Sequence, residues 1–427
     1  MIDAVRGSRA RGTGCALALC GVLVGRSLGA EPRPWVAPGA LPIAESMRSA
    51  EITRADEPVY QGPSSAEPRR GAVALGARVP VFAARTGPGC GGRFLQIGAL
   101  AWLCEDGAEL STEAPDSDAD SVLPHSHAGL PYRYHFVGPD GSFGYRAIQT
   151  AEDGVPDVQL LKGFGVAVLR VENNAEGNPF GLTSEGWWVP MRDLNPVAPL
   201  PFHGRELSGN SNVAWVTTAN AIASPAPDKA KDPKLKLAKF QELDVLEERD
   251  VGGHRWFRFA ENAWLSDRDA RAPTHADLPS ELRAGERWID VDVASQVLTA
   301  YVGDRPVFAT LVSTGRGANG SILATPRGVH RLWVKLRTSN MDNLDDESAA
   351  ENYAIQAVPW VMYFEHGYGL HGTFWHRDFG NKHSHGCVNL TPLDAERLFG
   401  WTSPKLPPGW TAALPTSYEP GTLIRVR

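Results

Sequence analysis

Histidines and one cysteine gather near the C-terminal end of this chain. Five of its twelve histidines fall between His366 and His385, and Cys387 follows within two residues. A deprotonated cysteine is a strong nucleophile, and a contacting imidazole both takes its proton and holds the thiolate as an ion pair. His371 lies sixteen residues before Cys387. The two can therefore pair only if the chain folds back between them.

Two other interpretations of this cluster stay open. A cysteine beside histidines is often a buried structural residue that performs no chemistry. The same histidines could also hold a metal ion, but their spacing is neither Cys-x-x-Cys nor His-Glu-x-x-His. We therefore expect no metal site and no cofactor.

The flanking sequence favours catalysis. His371-Gly372-Thr373 and the later run Ser384-His385-Gly386-Cys387-Val388-Asn389 resemble the active-site signature of the L,D-transpeptidases, the YkuD domain family. Three upstream runs are similar to the family's opening strand, its Ser-Thr-Gly segment and its Thr-Pro-x-Gly turn: 288–292, 312–315 and 325–328. The resemblance covers about residues 285–427, the last third of the chain.

The resemblance implies catalytic roles for four residues. Cys387 would attack a carbonyl carbon, and His371 would shuttle the proton. The backbone carbonyl of Gly372 would orient the imidazole, although Asp378 is an open alternative for that task. Backbone N–H groups near Gly386 and Cys387 would stabilise the oxyanion, and Gly386 would allow an unusual backbone conformation beside the nucleophile.

Further residues are expected to line the site. His385 and Asn389 occupy family positions there, and we assign them supporting or substrate-binding roles. Ser384 is expected to form hydrogen bonds within the loop rather than to catalyse. Tyr363 and Trp375, together with Trp360, could shape a cleft for an extended peptide, while packing within the sheet is an equal alternative. The irregular stretch from Thr373 to Lys382 is expected to act as a lid.

The implied activity is acyl transfer in peptidoglycan. Such an enzyme takes a stem tetrapeptide, forms a thioester on Cys387, releases D-alanine and passes the acyl group to an amine. The acceptor would be a neighbouring stem, giving a 3→3 cross-link, or an envelope protein, and carbapenems would acylate Cys387. A Cys/His hydrolase and a non-catalytic wall-binding protein are the alternatives.

The N-terminus resembles a secretory signal. Arg6, Arg9 and Arg11 precede an apolar run of about ten residues from Cys15 to Val24, shorter than the ~20 residues of a membrane span. We predict a signal peptide at 1–30, export to the periplasm or cell wall, and no stable membrane span. Lipidation of Cys20 is disfavoured but open.

Cysteine counting supports the same nucleophile. Removal of the signal leaves Cys90, Cys104 and Cys387. An odd number in an oxidising compartment indicates one pair and one leftover thiol. Cys90 and Cys104 are close in sequence and are predicted to form a disulfide, which leaves Cys387 free. The net charge of -7 and the pI of 6.0 argue against a nucleic-acid partner.

The remaining sequence predicts a mainly β protein. A weak repeat relates Arg93-to-Trp102 to Arg255-to-Trp264, with a looser copy ending near Trp188. These short runs resemble bacterial SH3-like barrels, in which Trp102 and Trp264 would be core residues. The predicted order is a disordered spacer at 31–70, a barrel at 71–110, an acidic linker at 111–130, a possible second barrel at 131–198, a third barrel at 210–272, and the catalytic domain at 285–427.

The elements that must position the site are strands and one short helix. Hairpin strands are predicted at 288–293 and 297–302, and further strands at 306–313, 328–335 and 358–364, within a mixed-sheet sandwich with short helices. A helix is predicted from 392 to 399, since Thr391 is a good N-cap, Pro392 suits the first position and Asp394 could close a capping box. Its positive end would favour a thiolate.

Overall fold

The structure is a computed structural model that describes residues 39, 41, 43–117, 127–151, 154–198, 200–210, 212–344 and 353–427. The predicted signal peptide lies outside these residues. Within the described part, no helix is both long and apolar enough to cross a membrane.

Short strands build the first two segments of the chain. The first segment contains β1 Ser49–Ile52, β2 Glu57–Tyr60, β3 Arg69–Val73, β4 Arg78–Pro80, β5 Ala83–Arg85, β6 Phe94–Gly98, β7 Ala101–Cys104, the 3-10 turn Glu105–Gly107 and β8 Ala108–Ser111. The second segment contains β9 Arg133–Val137, β10 Ser142–Gly144, the 3-10 turn Ile148–Thr150, β11 Val158–Leu160, β12 Gly165–Asn173, β13 Pro179–Thr183, β14 Trp188–Pro190, the 3-10 turn Met191–Asp193 and β15 Leu194–Pro196.

Longer strands appear in the last part of the chain. The third segment contains β16 Arg205–Glu206, β17 Val213–Val216, β18 Ala221–Ile222, β19 Lys236–Leu237, β20 Glu242–Asp244, β21 Glu247–Val251, β22 His254–Ala260, β23 Ala263–Ser266 and β24 Ala270–Arg271. The C-terminal segment contains β25 Arg287–Asp292, β26 Val297–Val302, β27 Arg305–Leu311, β28 Gly328–Arg331, β29 Val334–Asp342, β30 Ala354–Glu365, β31 Tyr368–Gly372, β32 Val388–Leu390, α1 Pro392–Trp401, β33 Trp410–Ala413 and β34 Leu423–Val426.

The C-terminal segment is a two-sheet sandwich. One sheet has the order β16-β27-β26-β25-β34-β28, in which β25 and β34 run parallel and the other neighbours antiparallel. The core contains Ile289 and Phe308 from this sheet, Met362 and Leu370 from the facing strands β30 and β31, and Leu398 from α1. The predicted mainly β fold with a mixed-sheet sandwich is confirmed.

The second sheet of the sandwich continues into the first two segments. Its order is β14-β13-β12-β30-β29-β33-β3-β2-β7-β6-β5, with β9, β15, β31 and β32 off this path. β33 pairs with β3 of the first segment, and β30 makes a parallel pair with β12 of the second. Edge strands expose unpaired N–H and C=O groups. Both N-terminal segments therefore cover strand edges of the C-terminal segment.

The predicted repeat is present as three hairpins with matching pairing. In β6–β7, Gln96 lies opposite Trp102, and in β22–β23, Arg258 lies opposite Trp264. In β13–β14, Leu182 lies opposite Trp188 at the same spacing. Trp102 and Trp264 are 3% and 4% exposed, which confirms them as core residues. The barrel type of these segments remains a prediction.

The prediction of a disordered spacer at 31–70 is corrected for its second half. β1 and β2 lie there, and β1 pairs with both β4 and β8. Ile52 and Val59 are nearly inaccessible to solvent. A strand is recognised in a sequence by alternating apolar and polar residues. A strand of four residues contains too few apolar side chains for this alternation to be recognised among many prolines and glutamates.

Two polar stretches of the sequence are held to the folded segments by hydrogen bonds. The described start of the acidic linker is attached to the first segment, since the Arg78 N–H donates to the Asp116 carboxylate at 2.8 Å. The lysine-rich stretch at 224–239 includes the short strand β19, where Leu237 is buried. It ends at Lys239, whose ammonium group donates to the carbonyl of Arg377 at 2.9 Å.

The helix prediction is confirmed, but the capping box is wrong. α1 begins at Pro392, and the Thr391 hydroxyl accepts from the Asp394 N–H at 3.3 Å. The Asp394 carboxylate instead accepts from the Gly204 N–H at 2.9 Å and from the Thr310 hydroxyl at 2.6 Å. The carboxylate thus joins the helix to β27 and to the chain just before β16. Only the tertiary structure brings these parts together.

Candidate active site

A parallel strand pair brings the histidine and the cysteine to one place. β31 and β32 pair with Leu370 opposite Val388 and His371 opposite Asn389. Cys387 immediately precedes β32 and therefore lies beside the strand that carries His371. The chain folds back between them through the irregular stretch 373–383, as the spacing of the two residues requires.

Cys387 is the free cysteine of the described residues and is partly exposed. Its thiol donates to the Gly367 carbonyl, with the sulphur 3.8 Å from the oxygen. Atoms around the sulphur desolvate it and raise the pKa of Cys387, while a hydrogen bond from the Gly369 backbone acts in the opposite direction. At neutral pH the group is mainly a thiol.

His371 is almost completely buried, with 2% of its surface exposed. Its Nδ1 lies 3.3 Å from the Gly372 carbonyl oxygen and 3.3 Å from the Thr373 hydroxyl. A proton on Nδ1, donated to the carbonyl, leaves Nε2 with a free lone pair. Burial lowers the pKa of His371 to about 4, against the opposing effect of its hydrogen bond to the Gly372 carbonyl. The imidazole is therefore a neutral base at pH 7.

These pKa shifts change the predicted electrostatics of the pair. We expected an imidazolium at His371 to hold Cys387 as a thiolate. Burial instead favours the uncharged form of both groups. The resting pair is therefore neutral.

The loop before Cys387 is shaped by Ser384 and Gly386. The Ser384 hydroxyl donates to the Cys387 carbonyl at 2.5 Å and accepts from the Gly386 N–H at 3.1 Å. Gly386 has φ +128°, and a Cβ there would lie 2.3 Å from a ring carbon of Tyr368. Both the backbone conformation and the close ring require glycine at this position.

The Ser-Thr-Gly segment and the residue after it form backbone hydrogen bonds with this loop. The Ser384 N–H donates to the Thr314 carbonyl, and the Arg316 N–H donates back to the Ser384 carbonyl. Ser313 and Asn389 exchange two backbone hydrogen bonds. The similarity of residues 312–315 to a family segment therefore marks a stretch that is hydrogen-bonded to the nucleophile loop.

His385 contacts an arginine and a tyrosine. Its Nε2 lies 2.8 Å from the Arg316 guanidinium, and its ring stacks on Tyr353 with centroids 5.6 Å apart. Burial, the positive charge of Arg316 and His383 lower the pKa of His385. His385 is thus a neutral residue at the rim of the site.

Two tyrosines lie near Cys387 at β30, Tyr353 and Tyr363. Burial raises the pKa of both Tyr353 and Tyr363, and the nearby Cys387 contributes in the same direction. Tyr363 stacks on Trp333, which is 46% exposed. Trp360 is different, since it is buried in the core and its indole N–H donates to the Gly129 carbonyl at 2.6 Å. The cleft role suggested for Trp360 is therefore wrong.

The stretch 373–383 carries two further contacts to the site. Trp375 stacks on His371 with ring centroids 5.7 Å apart and planes at 21°. His376 Nε2 lies 2.8 Å from Asn389 Nδ2. Asn389 is 3% exposed, so its amide supports this loop instead of facing solvent.

Asp378 does not orient His371. Its carboxylate lies 3.4 Å from His383 Nδ1 and 3.5 Å from the Lys239 ammonium. The contact to the His371 Nδ1 comes from the Gly372 carbonyl, as the resemblance implies. Among the described residues, the one group of side chains close enough to share a metal ion is Cys90, Cys104 and Asp106.

The two cysteines of that group are joined to each other. The structure links Cys90 and Cys104 by a disulfide, with Cα atoms 5.6 Å apart. Their sulphurs therefore carry no thiolate for a metal ion, and Cys387 is left as the thiol.

Several residues of the site escape sequence reasoning. Arg316 and Tyr353 lie far from the signature in sequence, and only the pairing of strands and loops brings them to His385. Tyr368 lies three residues before His371, and its contact with Gly386 has no local pattern. A usable signal was the unusual density of aromatic residues between 353 and 375.

Residues 286–426 match the family model YkuD, described as the L,D-transpeptidase catalytic domain. The resemblance seen in the C-terminal third is thereby confirmed, whereas the SH3-like resemblance of the earlier segments is not. No curated protein matches the chain significantly.

Solved structures similar to this chain include three L,D-transpeptidases. A cysteine-to-serine mutant from Enterococcus faecium is 22% identical with TM-score 0.25, covering 33% of this chain and 50% of its own. The catalytic domain from E. faecium, solved by NMR, is 23% identical with TM-score 0.25, covering 34% and 98%. An enzyme from Mycobacterium smegmatis is 18% identical with TM-score 0.27, covering 42% and 79%. This chain thus spans half the length of the first of these relatives.

Proposed function

We propose that this chain is a cysteine-dependent acyltransferase that acts on peptidoglycan stem peptides. Its residues 286–426 match the L,D-transpeptidase catalytic domain. The observation that carries the proposal is the placement of one free thiol, Cys387, beside the strand of a buried neutral imidazole, His371. A neutral base next to a protonated thiol is the starting state for general-base activation of a nucleophile.

The first step forms a thioester. Cys387 Sγ attacks the carbonyl carbon of the donor peptide bond while His371 Nε2 takes the thiol proton. The C–N bond then breaks, and the leaving amine receives that proton from the imidazolium. The carbonyl of Gly372, 3.3 Å from Nδ1, stabilises the transient imidazolium. A second amine then attacks the thioester, returns a proton through His371 and releases the thiol.

The oxyanion requires a backbone donor near the sulphur. We expected N–H groups near both Gly386 and Cys387 to serve. The Gly386 N–H is engaged by the Ser384 hydroxyl at 3.1 Å. We therefore assign the oxyanion contact to the Cys387 N–H, which follows it in the same loop.

The proposed donor is a stem tetrapeptide that loses D-alanine. The proposed acceptor is the side-chain amine of a diamino acid on a neighbouring stem, which gives a 3→3 cross-link, or an amine of an envelope protein. The partly buried rings of Tyr353 and Tyr363 beside the sulphur support an extended peptide in this cleft.

The proposed location is the periplasm or cell wall. The basic and apolar run at the N-terminus supports export. A disulfide between Cys90 and Cys104 fits an oxidising compartment.

Intact-mass analysis tests the proposal. Purified mature protein is incubated with a disaccharide-tetrapeptide, with a Cys387→Ala variant as the matched control. We expect a cysteine-dependent acyl adduct, or a cross-linked dimer with loss of D-alanine. Cleavage to tripeptide without dimer, in the presence of an amine acceptor, would indicate a hydrolase. An unchanged protein and substrate, with retention of the chain on insoluble wall, would indicate a binding protein.

A further inference from the structure

The loop between His371 and Ser384 is attached to the second and third segments of the chain. Its irregular stretch, residues 373–383, contains two aromatic residues that pack on these segments, Phe374 and Phe379. Phe374 packs on Tyr134 of β9 with ring centroids 4.3 Å apart. Phe379 is fully buried in a cluster that includes Trp215 of β17. Each aromatic residue therefore anchors the loop to a different segment.

The Tyr134 contact is rigid. Tyr134 is 3% exposed, and its hydroxyl donates to the Ala357 carbonyl at 2.5 Å. Ala357 interrupts β30 with φ +48° and is held by a hydrogen bond from its N–H to the Asn340 side chain at 2.9 Å. Tyr134 is thus fixed at its hydroxyl end by the C-terminal segment itself, while its ring face supports Phe374.

The third segment holds the other end of the loop. The Arg271 guanidinium donates to the Gly380 carbonyl at 3.2 Å. Gly380 has φ +91°, and a Cβ there would lie 2.3 Å from a methyl of Thr217. Lys239 donates to the Arg377 carbonyl at 2.9 Å. This end of the loop is in close contact with the third segment and is not free to open as a lid.

Between these anchors, Trp375 contacts His371. Trp375 directly follows Phe374 and stacks on His371 at 5.7 Å. Phe374 and Trp375 are also packed edge to face, with centroids 5.2 Å apart. A continuous series of ring contacts therefore leads from Tyr134 through Phe374 and Trp375 to the imidazole.

We propose that Tyr134 is a positioning residue for His371, acting through Phe374 and Trp375, so that the second segment is needed for catalysis. This inference rests on the proposed function only in taking His371 and Cys387 as the reacting pair. A displacement of about 1 Å in a catalytic group can lower a rate by about 100-fold. Loss of the Tyr134 ring removes the face that supports Phe374, and the Trp375 ring that covers the imidazole then moves.

The chain offers a matched control for this substitution. Tyr145 lies in the same segment, is 8% exposed and packs edge to face on Phe180 with centroids 6.4 Å apart. Its cluster contains no residue of the loop. A Tyr145→Ala variant therefore loses a buried tyrosine from the second segment without touching the path to His371.

The experiment compares Tyr134→Ala, Tyr134→Phe and Tyr145→Ala in the full chain. The readouts are the rate of Cys387 alkylation by iodoacetamide from pH 5 to 10, kcat and KM for dimer formation, and the thermal midpoint. We expect Tyr134→Ala to lower kcat by about tenfold to 100-fold with little change in KM, and to change the pH profile of alkylation. Tyr134→Phe keeps the ring and should stay within about threefold of the wild type.

The control decides between positioning and simple stability. Tyr145→Ala should lower the thermal midpoint yet keep the wild-type pH profile and kcat. An unchanged profile in Tyr134→Ala, or an equal loss in Tyr145→Ala, would overturn the inference. If the wild type forms no acyl product, the proposed function fails. The alkylation profile still tests the positioning, with His371→Ala as the reference for a lost base.

Discussion

The proposed nucleophile Cys387 and the proposed base His371 are both desolvated, which favours their uncharged forms and governs how the proposed site responds to pH. Desolvation raises the pKa of Cys387 and lowers that of His371 to about 4. A pre-formed ion pair would show the opposite shifts, since each charge would favour its partner's charged form. The two shifts therefore argue against a pre-formed thiolate–imidazolium pair.

Alkylation of Cys387 checks this protonation state. Because the thiol pKa is raised, the rate with neutral iodoacetamide should climb steadily from pH 6 to pH 9. An ion pair would instead give a plateau that begins near pH 4 to 5. The measurement is the second-order rate constant by intact mass, with Cys387→Ser to account for other reactive groups. A plateau at acidic pH would show that a thiolate exists in the resting site.

Substitution of Gly386 tests whether the conformation of the loop before Cys387 is needed for activity. In Gly386→Ala, the added methyl meets Tyr368 and the backbone must hold φ +128°. Strain of this kind costs on the order of 1–3 kcal/mol, so we expect the loop to shift and dimer formation to fall at least tenfold. Gly367→Ala is the control, since a Cβ there meets nothing within 4 Å. Equal activity of both variants would contradict the close approach, with kcat and thermal midpoints as readouts.

Among the secondary-structure elements, α1 follows β32 directly and therefore begins a few residues after Cys387. Thr391 caps its first turn, while the buried Asp394 carboxylate links it to Gly204 and Thr310. Burial raises the pKa of Asp394, which the hydrogen bond from Thr310 opposes. The helix is therefore located by polar contacts as well as by its apolar face.

Substitution of Asp394 tests that link. Asp394→Ala leaves the Gly204 N–H without its acceptor and leaves the Thr310 hydroxyl with the longer contact to the Leu311 carbonyl, 3.4 Å. A buried unsatisfied group costs about 1–3 kcal/mol. Asp394→Asn keeps an acceptor oxygen and avoids a buried charge, so it should destabilise less. Urea unfolding at pH 7 gives both free energies. If the alanine variant proves as stable as the asparagine variant, the carboxylate contacts contribute nothing.

Across the whole molecule, one sheet joins segments that the sequence presents as separate domains. β33 pairs with β3, and β30 with β12. The loop from 373 to 383 adds contacts to Tyr134 and to Trp215. Domains linked only by flexible spacers would move independently. These pairings instead make the N-terminal segments part of the structure that holds the site.

Removal of the first 284 residues tests this dependence. The remaining chain would expose the free edge of β33, together with Trp410 and Phe379, which are 5% and 0% exposed in the full chain. Exposed edges and apolar rings promote association. We expect aggregates or oligomers in size-exclusion chromatography and a broad unfolding transition. A monomer that unfolds as cooperatively as the full chain would show that the sheet pairings are dispensable.

The sequence by itself determined features that depend on neighbours along the chain. The motif around Cys387, the cap at Thr391, and the repeated hairpins closing at Trp102 and Trp264 are set by local residue types and spacing. Short-range patterns of this kind survive in a sequence because turns, caps and strand alternation each involve only a few consecutive residues.

The tertiary structure alone decided the contacts between distant residues. The Tyr134 hydroxyl meets the Ala357 carbonyl across 223 positions, and Gly204 meets Asp394 across 190. Such contacts depend on which strand edges pair and which faces become buried, and no local period encodes either choice. For the same reason the neutrality of His371 could not be foreseen, since its pKa follows from burial by the assembled segments.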